Sequence, residues 1–486
     1  MLNPGETANL VISLENEIGW VNAASIIATL ETDNPDITIT TPNAAYGNIA
    51  NNSSASATFQ FSVDPLISLG DIIFSLNISG FGSGGYQYSN VLTIATQVSL
   101  NQQGFPYDTN SELKATQVII DLDNDGNNEI IMADYFGMVR VISDGVELDN
   151  MNFPFDTGDQ IWGSISSADL DGDGFEDFVV SSKSGSLYVF DINGLKFQYD
   201  ADRWLIATPV IGNIDLDSDL EIIVGGYQSP TSSSPLFAIN HDGSEVQGFP
   251  YIIGEKMKSG VALADIDGNG IQDIIFGTDG DNLYVLLDDL SIAEGFPIDL
   301  GSNLRSEPAV LNTGQEQIIL IGCANDNFYG INVDGSLRFV VPTGDDIYTS
   351  PSFYETSDGI EIYFGSDDGN IYGLDIDGNN LSGYPLSISS GAIVGSVVFS
   401  DLNSDGFTDM IVVDDSGKIY GQSLDGQVIQ GFPIAHPFPF SSSPQIVDYD
   451  GDGDLEVIVG SAGDLVNIDL KLSLIHISEP TRPLYI

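Results

Sequence analysis

Six nine-residue stretches carry an oxygen-bearing side chain at positions 1, 3, 5 and 9. They hold Asp121, Asp123, Asp125 and Glu129; Asp169, Asp171, Asp173 and Asp177; Asn213, Asp215, Asp217 and Glu221; Asp265, Asp267, Asn269 and Asp273; Asp401, Asn403, Asp405 and Asp409; and Asp448, Asp450, Asp452 and Glu456. Carboxylates this close repel by roughly 1 kcal/mol per pair at 4 Å in water, and several-fold more near a protein surface. A bound cation turns that repulsion into coordination. Position 6 is glycine in five copies and Ser218 in the other, as a sharp turn with positive φ requires. Position 7 varies freely, with Asn127, Phe175, Asp219, Ile271, Phe407 and Asp454. Such freedom fits a ligand drawn from the backbone carbonyl. Oxygens from 1, 3, 5, 7 and 9 suit Ca²⁺, which accepts many oxygens in flexible geometry, better than Mg²⁺, which demands a tight octahedron. An EF-hand would need a Glu at position 12, where Met132, Val180, Val224, Phe276, Val412 and Val459 stand.

The elements that position these loops repeat with them. Asp121 to Asp448 spans seven intervals of about 47 residues. Two central units, around "PAVLNTGQEQIILIG" and "PSFYETSDGIEIYFGS", have lost the acidic loop, which makes eight units. In each unit a β-rich run follows the loop, then a second run such as "SLYVF" or "NLYVL", then a turn such as Asp144-Gly145 or Asp242-Gly243. A Gly-Phe-Pro-like segment closes the unit, as at Gly104-Phe105-Pro106 and Gly431-Phe432-Pro433. Proline cannot donate to a central ladder, so this segment reads as an outer edge strand. Three strands plus an outer one at this period predict an all-β chain folded as a β-propeller. Eight blades are expected over residues 99–472, with seven as the alternative. An outer segment precedes the first inner strand and the last unit lacks one, so the first segment is expected to complete the last blade.

The strand-embedded DxDxDGxxD/E loops resemble FG-GAP/VCBS repeats, the blade units of integrin-α-like propellers. The resemblance covers roughly residues 100–472. It implies that the loop joins the first two strands of a blade and that its Ca²⁺, up to six ions here, is structural. It gives no metal site to the two central units.

Residues 1–98 lack the repeat. Runs such as "ANLVISLEN", "ASATFQFSV" and "DIIFSLNIS" alternate apolar and polar residues between turns, which predicts about seven short strands in an immunoglobulin-like β-sandwich. With its "NPGE" run, this part resembles the spacers beside catalytic domains in secreted bacterial peptidases. "GFGSGG" at 80–85 reads as a hairpin loop rather than a nucleotide loop. The start lacks a basic-then-apolar signal segment, so the chain reads as a fragment missing upstream sequence. Residues 473–486, "LIHISEPTRPLYI" with its preceding serine, match no repeat and read as a non-native tail.

Twelve Lys plus Arg stand against 71 Asp plus Glu, a formal charge of −59, so nucleic acid and anionic membranes are poor partners. No apolar run is long enough to span a membrane. Six Ca²⁺ would bring the charge only to −47, so most of the acidity serves another end: a secreted protein in saline, calcium-replete surroundings. Cys323, in an apolar run, reads as core. His241 reads as a turn residue and His436 as part of a surface loop, while His476 lies in the tail. No motif marks a nucleophile or a zinc site. Trp162 and Trp204 read as packing between blades, with stacking on sugars as the alternative. The reading is a monomeric, non-catalytic, extracellular or cell-surface calcium-binding module for adhesion or for binding a protein or carbohydrate ligand, part of a larger secreted protein. The alternative is a secreted polysaccharide lyase or hydrolase, or the accessory region of one.

Overall fold

The computed structural model describes residues 2, 7–18, 21–64, 67, 70–82, 85–149, 152–215, 217, 219–227, 234–357, 359–403, 405–429, 431–451 and 453–470. Asp452, Ser218, the "NPGE" residues and the tail 473–486 with His476 lie outside them. The chain forms two compact units, residues 1–103 with 469–486 and residues 104–468. The first therefore runs a few residues past the expected boundary at 98.

Among the described residues, seven strands build the first unit: β1 (Thr7–Asn16), β2 (Ala23–Thr32), β3 (Ile37–Ile39), β4 (Asn43–Ile49), β5 (Ser53–Val63), β6 (Gly70–Gly82) and β7 (Gln87–Val98). They form two sheets, ordered β1-β5-β3 and β4-β2-β6-β7. Alternation sends Phe59, Phe61, Phe74 and Leu76 into a shared core while their neighbours stay wetter. β6 and β7 pair as antiparallel neighbours, and Ser83 and Gly84 of the "GFGSGG" run lie outside the described residues.

Among the described residues the second unit holds eight antiparallel sheets, one per repeat. In the first, Val118–Ile120 pairs with Glu129–Ala133, which pairs with Met138–Ser143, and the short runs Val146–Glu147 and Phe155–Asp156 pair with that third strand. The second strand of a blade is buried on both faces, which is why it reads as a continuous apolar run such as "EIIMA" or "DFVVS". Successive blades share cores: Ile131 and Val139 of the first pack with Phe178, Tyr188 and Phe190 of the second.

The ring closes as expected. β8 (Tyr107–Asp108) pairs with Asp464–Asp469 of the last sheet, in the register Asp108↔Asp464 and Tyr107↔Leu465. Polar contacts also run around the axis from blade to blade. Thr116 N–H donates to Ser164 Oγ (3.3 Å), Ser164 N–H to Thr208 Oγ1 (3.2 Å) and Gly260 N–H to Glu307 Oε1 (3.3 Å). Ser306 Oγ then donates to Thr349 O (2.9 Å), Ser352 Oγ to Val397 O (2.7 Å) and Ser396 N–H to Ser443 Oγ (3.1 Å). Ser443 N–H returns to Thr116 Oγ1 (3.2 Å).

One expectation needs correction. In most blades the Gly-Phe-Pro segment is not itself the outer strand but the turn into it: the paired residues follow the proline, as at Tyr107–Asp108, Tyr251–Ile252 and Ile434–Ala435. The aromatic residue instead turns inward, with Phe105, Phe153 and Phe432 buried. Burial of that ring, rather than ladder pairing, explains the recurrence. The two central units replace the acidic loop with tight connections, Ala309–Asn312 to Gln317–Cys323 and Ser352–Thr356 to Gly359–Gly365.

Candidate functional site

Each acidic loop leaves the end of an innermost strand and closes on the first residue of the next. That closing acid, at position 9, is Glu129, Asp177, Glu221, Asp273, Asp409 or Glu456, and all six are buried. Its carboxylate accepts the N–H at position 2, from Leu122 (3.0 Å), Ile214 (2.9 Å), Ile266 (2.8 Å), Leu402 (3.1 Å) and Tyr449 (2.5 Å). The position-1 carboxylate accepts the N–H groups of positions 5 and 6: Asp121 from Asp125 (3.0 Å) and Gly126 (2.9 Å), and Asp401 from Asp405 (3.0 Å) and Gly406 (2.9 Å). Positions 3 and 5 cap the residues two further on, the Asx geometry that lets short acids hold a turn. Position 6 takes positive φ, 96° at Gly126 and 92° at Gly453.

This wrapping turns the acids toward one another. One oxygen from each member of Asp121/Asp123/Glu129, of Asp169/Asp171/Asp173, of Asp215/Asp217/Glu221 and of Asp265/Asp267/Asp273 lies within 4.8 Å of the others. The side chains at position 7 point away: Phe407 is 75% exposed and Phe175 42%. Burial, reinforced by the neighbouring carboxylates, pushes the Glu221 carboxyl up to about 7 and Asp409 to about 6, and it also raises Glu129 and Asp273. Glu221 Oε1 and Asp448 Oδ1 are buried without a hydrogen-bond partner. A buried carboxylate oxygen left bare costs about 1–3 kcal/mol or more, and a divalent cation held by the oxygens around it removes that cost. The donor set, all hard oxygens, fits Ca²⁺.

The second loop differs. Lys196 Nζ lies 2.8 Å from Asp171 Oδ2 and 2.9 Å from both Asp177 oxygens. Its hydrogen bond holds Asp171 below the usual carboxylate range, whereas burial still leaves Asp177 raised. Among the described residues, the loops at 121–129, 213–221, 265–273 and 401–409 have no Lys or Arg ion pair. Nothing periodic announces Lys196: the matching positions two after the turn glycine hold Glu147 and Glu245. Asp326, Asp345 and Asp346 form a further carboxylate group that sequence reading missed, because it joins a turn of one blade to the segment entering the next. His436 is not on a plain surface loop: its side chain is 10% exposed, and Nε2 lies 2.8 Å from Asp464 Oδ1. Cys323 is buried, as expected. Trp204 does not pack away between blades but is 45% exposed, and Trp162 is half-buried beneath lysines.

Eight sheets closed into a ring by the chain's own first outer strand define a β-propeller. Two stretches of it match repeat families: residues 162–190 match the FG-GAP repeat and residues 401–459 the FG-GAP-like repeat, segments that include the loops at Asp169, Asp401 and Asp448. Among solved structures, Sqt1 of Saccharomyces cerevisiae is 13% identical, covering 75% of this chain and 97% of its own at a TM-score of 0.54. A quinohemoprotein alcohol dehydrogenase, ADHIIG of Pseudomonas putida HK5, is 10% identical, covering 75% of each chain at a TM-score of 0.54. At such identities the likeness is one of fold. No curated relative matches the chain significantly. Among the described residues no helix is long and apolar enough to cross a membrane.

Proposed function

We propose that this propeller is a calcium-stabilised, non-catalytic module of the extracellular space or cell surface, binding a protein or carbohydrate ligand as part of a larger secreted protein. The first unit would act as its immunoglobulin-like spacer. The observation that carries the calcium reading is Glu221. Its carboxylate is fully buried, one oxygen has no partner, and Asp215 and Asp217 oxygens lie within 4.8 Å. Burying a charge in that company is unfavourable unless a cation joins it. A net charge of −59 suits a saline medium that screens self-repulsion and supplies Ca²⁺.

Thermal melting with excess Ca²⁺ and with EGTA tests this reading. Calcium is expected to raise the melting temperature markedly, because each ion binds the folded loops and not the unfolded chain. A melt indifferent to EGTA would sink it.

A further inference from the structure

Cationic side chains are scarce in this chain, yet five of its 12 Lys and Arg gather at one place. Lys114, Lys183 and Lys258 come from three different blades, and their ammonium nitrogens lie 5.3, 5.3 and 5.7 Å from the ring centroid of Trp162. Lys183 also sits 4.6 Å over the exposed Trp204, and Lys256 5.1 Å over Tyr227. Lys258 is close enough to Arg305 for each charge to repel the other. Arg305 is paired with Asp279 (2.9 Å) and Lys114 loosely with Glu112 (3.6 Å), but Lys183, Lys256 and Lys258 have no ion pair among the described residues.

The repeat explains the location. Lys114, Trp162, Lys258 and Arg305 each stand two residues before the ring of polar contacts around the axis, at Thr116, Ser164, Gly260 and Glu307. They therefore rim the mouth of the central channel. From there each innermost strand runs to its acidic loop, so mouth and loops lie at opposite ends, about 20 Å apart for seven residues of extended chain. Like charges crowded around one indole repel, and burial with Arg305 nearby lowers the Lys258 ammonium pKa. Five cations thus stand against two paired carboxylates, Asp279 and Glu112, and three ammonium groups are left without an ion pair among the described residues.

We propose that this mouth binds an acidic polysaccharide, its anionic groups reaching the lysines while a sugar face packs on Trp204 and the edge of Trp162. This deepens the ligand-binding reading above and rests on it. A sugar polymer is favoured because the apolar surface here consists of flat, amphipathic aromatic rings with cations between them, which suits a ring bearing one C–H face and one charge. In later blades Asp346, Asp367 and Asp415 take the equivalent rim positions, so the lysines form one cationic arc of the mouth, and the strongly acidic surface elsewhere repels a polyanion.

The full chain, saturated with Ca²⁺, is titrated with polygalacturonate, dextran sulfate, neutral dextran and poly-glutamate, followed by tryptophan fluorescence and by retardation in polymer-containing gels. Polygalacturonate or dextran sulfate is expected to bind, more weakly as salt rises, and the preferred one distinguishes carboxylate from sulfate recognition. The double variant Lys114→Gln/Lys258→Gln should weaken binding by about tenfold or more with an unchanged calcium-dependent melt. Trp204→Phe, which keeps a ring, should weaken it less than Trp204→Ala. Equal binding of neutral dextran, poly-glutamate bound as tightly as either sugar, or a double variant that binds like the parent overturns the proposal. An intact calcium-dependent melt without binding of any polyanion sinks this inference alone. Polymer binding together with a melt indifferent to EGTA sinks the calcium reading instead.

Discussion

Replacing Lys196 with methionine separates the second acidic loop from the others. Its ammonium makes contacts of 2.8 Å to Asp171 and 2.9 Å to each oxygen of Asp177, whose side chain is only 2% exposed. A calcium ion entering this loop must displace it. A hydrogen bond to a charged group contributes about 1.5–3 kcal/mol. The Asp171 contact is discounted because that carboxylate is 34% exposed. Displacement then costs about 3 kcal/mol, or about a hundredfold in affinity. Lys196→Met should therefore bind Ca²⁺ at this loop about a hundredfold more tightly, seen by calorimetric titration as a weak event in the parent that becomes a strong one in the variant. In EGTA the sign reverses. Asp177 is left buried without its partner, and the variant should lose about 3 kcal/mol, the lower end of the usual cost of breaking a buried ion pair. Indistinguishable calcium isotherms, or a variant as stable as the parent in EGTA, would refute the reasoning.

Three further outcomes are expected. Glu221→Gln should stabilise the calcium-free protein at pH 7 by about 2 kcal/mol, because it removes a bare buried charge whose carboxyl is raised to about 7; in saturating Ca²⁺ it should destabilise, and denaturant melts of the same sign in both conditions would count against a metal there. Phe105→Ala should cost about 3–5 kcal/mol and loosen the ring at its closure, since Phe105 packs with Leu465 and Tyr449 beside the β8 pairing; limited proteolysis should then cut first near residue 105. Asp367 is raised from 3.8 to about 6 by burial and by Asp345, Asp346, Asp415 and Asp368. The folded state thus holds its proton more tightly than the unfolded chain, and stability falls as pH rises from about 4 to 6. Asp367→Asn should remove that fall, by about 1 kcal/mol after solvent screening, in melts across pH 4 to 7.5.

The acidic loops were legible because their oxygens lie within nine residues, so spacing along the chain is already spacing in the site. The blades were legible because alternation and turn residues repeat with them, and ring closure followed from the unpaired outer segment at the start. Other assignments failed for one physical reason: they depend on what the fold brings near. Gly-Phe-Pro looks like a proline-bearing edge until the phenylalanine is seen to be buried. His436 reads as a surface residue until Asp464 and Phe440 pack against it.

By itself, then, the sequence determined the repeat, the propeller class and the acidic loops whose carboxylates converge, all of which are local or periodic properties. Only the tertiary structure decided that Lys196 reaches back across its blade to Asp171 and Asp177, and that one oxygen of Glu221 loses both solvent and partner. It alone gathered Lys114, Lys183 and Lys258 around Trp162. Closing a ring turns equivalent positions, far apart in the chain, into neighbours around one axis, and no window along the sequence holds such a group together.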